Sequence, residues 1–171
     1  VNPVLILEGK LTTSIGPNGD MLIPLDVFNS ANGLRPGTYR YLRFNTLSSS
    51  FGNNHVGLNE IQVFDEMLSA NLAPGATIIK RSGEYDNRFV VENAIDQRID
   101  DQAGGGITHW LGRDYTMDEY FILDLGRVFT IDRIELQNTH NRGYNDRGTA
   151  DFEIWASMAV DADNELLDPK L

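Results

Sequence analysis

Residues 120–137 read Tyr120-Phe121-Ile122-Leu123-Asp124-Leu125-Gly126-Arg127-Val128-Phe129-Thr130-Ile131-Asp132-Arg133-Ile134-Glu135-Leu136-Gln137. Short apolar runs and alternating apolar and polar positions fill this stretch, and neither half repeats at helical spacing. The pattern predicts two strands, over 120–125 and 131–137, parted at Leu125-Gly126. The same signature extends in both directions. Gly, Asn, Asp and Pro interrupt short apolar runs about every ten residues, as in an all-β sandwich. Further strands are predicted over 4–12, 21–25, 39–47, 57–64, 77–81 and 151–157. About eight strands suit a jelly roll. Gly16-Pro17-Asn18-Gly19 and Arg35-Pro36-Gly37 read as chain reversals, and 92–98 allows one helical turn. Gly104-Gly105-Gly106 lacks the lysine of a phosphate cradle and reads as a turning loop.

With 171 residues, 41% of them hydrophobic, the chain is long enough to bury a core as one domain spanning 1–171. Fourteen Lys and Arg stand against 25 Asp and Glu, a net charge of −11, and the basic residues form no stripe. Phosphate neutralisation needs such a stripe, so nucleic acid and anionic membrane are poor partners, and neither nucleic-acid binding nor membrane insertion is expected. Apolar runs such as 121–123 fall far short of the ~20 residues that cross a bilayer, and no signal-peptide pattern is present. Cysteine is absent, which removes disulfides, thiolate metal sites and cysteine nucleophiles together. The surplus of carboxylates favours solubility and suits hard cations that bind oxygen.

A catalytic reading finds little support. His55, His109 and His140 are scattered, with no i, i+4 pair for zinc. Ser48-Ser49-Ser50 lacks the Gly-x-Ser-x-Gly setting of a hydrolase nucleophile. Carboxylates such as Asp118 and Glu119 are too common in so acidic a chain to indicate glycoside hydrolysis, and Asp124 is expected to bond a neighbouring turn. The chain reads as a protein that is not an enzyme.

A series of short motifs narrows the fold. Asn71-Leu72-Ala73 is followed by Asn93-Ala94-Ile95-Asp96, Thr108-His109-Trp110, 120–126, 131–136, and then Asn145-Asp146-Arg147-Gly148-Thr149-Ala150-Asp151-Phe152-Glu153-Ile154. In order and spacing this series resembles the discoidin or coagulation-factor type C family, galactose-binding-like jelly rolls that include many carbohydrate-binding modules. Residues 71–157 resemble the family's opening and middle strands. Residues 1–66 resemble its closing strands, with Arg40-Tyr41-Leu42-Arg43-Phe44 and Gly57-Leu58-Asn59-Glu60-Ile61-Gln62-Val63-Phe64 standing before the opening motif instead of after it. The order is permuted. Leu167-Asp168-Pro169-Lys170-Leu171 can also be laid on Val1-Asn2-Pro3-Val4-Leu5, which implies one period of a repeat about 166 residues long, the offset between Pro169 and Pro3. Two arrangements follow: a unit that closes on itself, or head-to-tail strand exchange with other copies, which continues into a fibre. The second expects Val4, Leu5, Ile6 and Leu7 to be covered by another copy.

The resemblance also implies sites. In calcium-binding members of the family an Asp, loop carbonyls, a Thr and a Glu surround one structural Ca²⁺. The matching residues are Asp96, Thr108 and Glu60, with carbonyls of Ala94 and of the 98–101 loop, including Asp101. Ca²⁺ takes six to eight such hard oxygens. Gln97 departs from the family's usual Gly. Family members bind sugars through loops at one end of the sandwich, which here implies His140, Asn141, Arg142 and Tyr144, with Trp110, His109 or Tyr115 offering a ring. Trp110 also reads as a core residue, and Arg147 as a tie from the loop to a carboxylate such as Asp151 or Asp124. The expected protein is an extracellular or cell-surface structural unit, stiffened by Ca²⁺ and assembling with other copies of itself. The alternative is a carbohydrate-binding module that takes glycans. Thr12-Thr13-Ser14 and Ser48-Ser49-Ser50 are candidate O-glycosylation clusters.

Overall fold

The computed structural model describes residues 3–13, 23–99 and 106–167. Among them the chain forms nine strands and two 3₁₀ turns: β1 (Val4–Lys10), β2 (Asp26–Asn29), β3 (Gly37–Thr46), β4 (Gly57–Leu58), β5 (Glu60–Asp65), a turn at Ala73–Gly75, β6 (Thr77–Arg81), a turn at Val91–Ile95, β7 (Trp110–Leu111), β8 (Tyr120–Gln137) and β9 (Asp151–Ser157). The fold is an all-β sandwich.

Its organising element is β8. The predicted break at Leu125-Gly126 is a bend within one 18-residue strand, with Gly126 at φ +84°. Gly adopts that left-handed backbone without a Cβ clash, and Asp124 Oδ1 accepts the Gly126 N–H at 2.8 Å, as expected. Asp124 is also clamped by Arg40, at 2.7 Å and 2.8 Å, which holds its carboxyl below the usual range. Residues before the bend pair with β3 and β6, and residues after it with β2, β5 and the start of β3. The antiparallel sheet β1-β9-β3-β8-β2 thereby curls over one core, and β4 and β7 form a second small sheet.

Alternation decides which side chains enter that core. In β9, Phe152, Ile154 and Ala156 are buried while Glu153 and Trp155 face outward; in β3, Leu42 and Phe44 are buried while Arg43 and Asn45 face outward. Phe44 stacks on Phe121 and Phe152 at ring distances of 5.3 Å and 5.8 Å, and Trp110 meets Phe121 edge-on at 5.4 Å. Two expectations shift. The strand predicted over 21–25 is found at Asp26–Asn29, and the strand predicted over 57–64 is interrupted at Asn59, whose side chain bonds Thr108 and Gln137. Gly16 to Gly19 and Gly104-Gly105 lie outside the described residues.

β1 takes the first of the two arrangements foreseen for it. It pairs with β9 of the same chain from Val4 to Lys10, with an irregularity between Leu5 and Leu7. Ile6 and Leu7, each 1% exposed, belong to this chain's own core, while Val4 packs against that core and is half-buried, as is Leu5. In the single chain the strand therefore packs against its own sandwich. Leu7→Ala should lower stability by roughly 2–5 kcal/mol in urea unfolding, the usual cost of truncating a buried leucine. If β1 packs within the chain, that loss will not change with protein concentration.

Candidate functional site

The most unusual electrostatics lie where β5 begins. Glu60 is fully buried; its Oε1 accepts the Gln97 N–H at 3.2 Å, whereas Oε2 has no hydrogen-bond partner among the described residues. A buried charge without a partner is costly, so the group either keeps its proton or meets a cation. Burial first, and then the neighbouring Asp96 carboxylate, push the Glu60 carboxyl up to about 9. Burial raises Asp96 as well.

The turn opposite positions Asp96. The 3₁₀ turn Val91–Ile95, with Ala94 and Ile95 buried, ends at Asp96, whose Oδ1 accepts the Arg98 N–H at 2.8 Å. Gln97 sits at φ +66°, so the turn keeps the left-handed conformation that Gly favours even though Gln replaces it. Gln97→Gly should therefore raise the melting temperature by roughly 2–4 °C, as about 1 kcal/mol of backbone strain is relieved. Calorimetry checks this, and a lowered melting temperature would show that the turn is unstrained.

Asn59 ties this turn to its surroundings. Its Nδ2 donates to the Arg98 carbonyl at 3.1 Å, and its Oδ1 accepts the Thr108 hydroxyl at 2.9 Å. Hydrogen bonds thus link Glu60 to Gln97, Asp96 to Arg98, and Asn59 to both Arg98 and Thr108, with Ala94 buried in the adjoining turn, while Asp101 lies outside the described residues. No cluster of three or more His, Cys, Asp or Glu side chains suited to a metal occurs among the described residues. The donor set here is two carboxylates with neutral oxygens beside them. Two carboxylates, one with an oxygen buried and unpartnered, fit a hard cation.

The second cluster is the loop after β8. Asn141, Arg142 and Gly143 have φ of +54°, +56° and +88°, and Asn145 has +54°. The loop is tied down from within. The Asn141 amide donates to Asp146 at 2.8 Å, the Gly143 N–H donates to His140 Nδ1 at 2.6 Å, and Asn53 donates to the Asp146 carbonyl at 2.7 Å. Here the expected sugar contacts divide. Trp110 is 0% exposed, with Nε1 donating to the Gly83 carbonyl at 3.2 Å, so it is a core residue and offers no ring face. His140 and His109 are buried too and support the loop; Asn141 and Arg142 are half-buried.

The most exposed rings among the described residues are Tyr115, at 80%, and Tyr144, at 75%. Tyr115, itself at φ +60°, packs its ring 5.0 Å from that of His55. Beside it, Arg147 donates to Asp114 at 2.5 Å and lies 4.3 Å over the Tyr85 ring; its partner is Asp114, not Asp151 or Asp124. Sequence reasoning missed His55, because its nearness to Tyr115 is a product of the fold. No protein-family model and no curated protein matches the chain.

Proposed function

We propose that this chain is a discoidin-like, non-catalytic structural and interaction unit of an extracellular or cell-surface protein, stiffened by one Ca²⁺ and assembling with other copies of itself. The observation that carries this reading is the buried, half-unpartnered Glu60 carboxylate beside Asp96. A cation bound there would join β5 to the 91–98 turn, and Glu60, Asp96 and nearby carbonyls would hold it. It would supply positive charge to a site that otherwise sets two carboxylates side by side. Because β1 closes its own sandwich, copies would meet through outer surfaces and not by exchanging Val4 to Leu7. Electron microscopy and sedimentation of the Ca²⁺-loaded chain at high concentration test the assembly. Linear oligomers are expected; discrete monomers at every concentration would refute it.

A carbohydrate-binding reading is favoured by one observation: Tyr115 and Tyr144 expose their rings near amide and guanidinium groups. Rings that cover a sugar face and forked donors that bond its hydroxyls have the required chemistry. Glycan-array binding lost in Tyr144→Ala would support it, and an array without signal would end it.

A further inference from the structure

The end of the described chain folds back across the outside of the sandwich. After β9, the Ser157 hydroxyl bonds the Ala159 carbonyl at 2.8 Å, and residues 159–167 make a small hairpin with a Val160–Leu166 bridge. Asp161 Oδ1 closes its turn by accepting the N–H groups of Asp163 and Glu165, at 2.8 Å and 2.9 Å. One carboxylate then fastens the hairpin to the sheet. Glu165 Oε2 takes Arg43 at 2.8 Å, and Oε1 takes Lys80 at 2.9 Å and the Tyr120 hydroxyl at 3.3 Å. Lys80 also donates to the Asp163 carbonyl at 2.9 Å.

The sheet supplies most of this recognition. Arg43, Lys80 and Tyr120 come from three different strands, β3, β6 and β8, and the Arg43 guanidinium lies 3.8 Å over the Tyr120 ring. Next to them Leu166 lines a cavity of about 180 Å³ with Pro3, Arg43, Asn45 and Trp155. The face therefore reads a carboxylate followed by an apolar side chain, Glu165-Leu166. In a chain of net charge −11, paired cations on an outer face complement acidic partners, and an acidic partner of known fit is the same hairpin on another copy. The side chains holding the hairpin are about a third exposed, 28% for Arg43 and Lys80 and 34% for Glu165. Such ion pairs contribute little stability, so the hairpin can open without unfolding the sandwich.

We propose that the Arg43–Lys80–Tyr120 recess is a docking site for an acidic hairpin, filled by residues 160–166 of its own chain in isolation and by those of a second copy when copies associate. The proposal rests on the self-assembling reading above. Docking within one chain has the advantage of a high effective concentration, so exchange between copies belongs to crowded arrays and not to dilute solution.

Two variants remove that advantage. Arg43→Ala/Lys80→Ala destroys the recess and frees a hairpin, whereas Glu165→Gln frees a recess and disables the hairpin. Each alone should sediment as a monomer, and an equimolar mixture should give a complex of doubled mass that dissociates in about 0.5 M NaCl, where surface charges are screened. Acrylamide quenching reports the release, because Trp110 is buried and Trp155 lies under the hairpin's edge; it should increase in both variants. A mixture that stays monomeric, or quenching unchanged from the parent chain, would overturn the proposal. If the mixture pairs but the parent chain forms no linear oligomers, the docking site stands and the array reading falls.

Discussion

If Ca²⁺ binds as proposed, saturating the cation-free chain with it should raise the melting temperature by roughly 5–10 °C, since a ligand at about a hundred times its dissociation constant adds about 2.7 kcal/mol to a domain of this size. Asp96→Ala abolishes the increase. Without the ion, the pH dependence of stability has an unusual sign. The folded chain holds the Glu60 proton up to about pH 9, while the unfolded chain releases it near 4.5. Between those values the folded state binds more protons, so stability falls as pH rises, by about 6 kcal/mol at most. Glu60→Gln removes that slope, because the amide stays neutral throughout. Calorimetry between pH 5 and 9, with calcium or with a chelator, reads both effects. A Ca²⁺ response that survives in Asp96→Ala, or a stability that rises across this range, would move the cation elsewhere.

Trp110→Ala is expected to cost roughly 3–5 kcal/mol, the usual result of emptying a large core site. The indole is fully enclosed, meets Phe121 edge-on and donates to Gly83, and its loss also deprives that carbonyl of a partner. Tyr115→Ala, in contrast, should stay within about 0.5 kcal/mol of the parent, because the ring stands in solvent. Urea titration of both variants separates the two roles. Any glycan binding by this chain should follow Tyr115 and Tyr144, and the Trp110 variant should affect it only through unfolding.

The contrast between these two aromatics shows what was legible in the sequence. Alternation in 120–137 and 151–157 is a local property, and it identified the strands. The positions of β3, β5 and β6 were read in the same way. Partnership is not local. Nothing in the residues around 120–137 announces that two predicted strands are one, because a single Gly126 at φ +84° bends a strand where it also reads as ending one. Trp110 could be read as core or as ligand platform until β7 was seen to bury it against Phe121. At the proposed cation site, Glu60 and Asp96 were visible through the order of the motifs, whereas the unpartnered Oε2 depends on burial from several sides. The recess at Arg43, Lys80 and Tyr120 left no trace, since its parts lie 37 and 40 residues apart along the chain, as 80 minus 43 and 120 minus 80 show.

The pairing of β1 with β9 also bears on how the unit would carry load. Val4 lies opposite Ala156 and Lys10 opposite Asp151, so the outer end of the first strand and the far end of the last leave the sheet side by side. Tension applied through those two ends would peel the strands apart one hydrogen-bonded pair at a time. It would not shear the whole ladder at once, because both loaded ends sit at the same end of the ladder and the pull runs along the hydrogen bonds, which lie across the strands. Were the proposed assembly to string units together by these ends, each would yield gradually and re-form readily, an extensible link and not a rigid clamp.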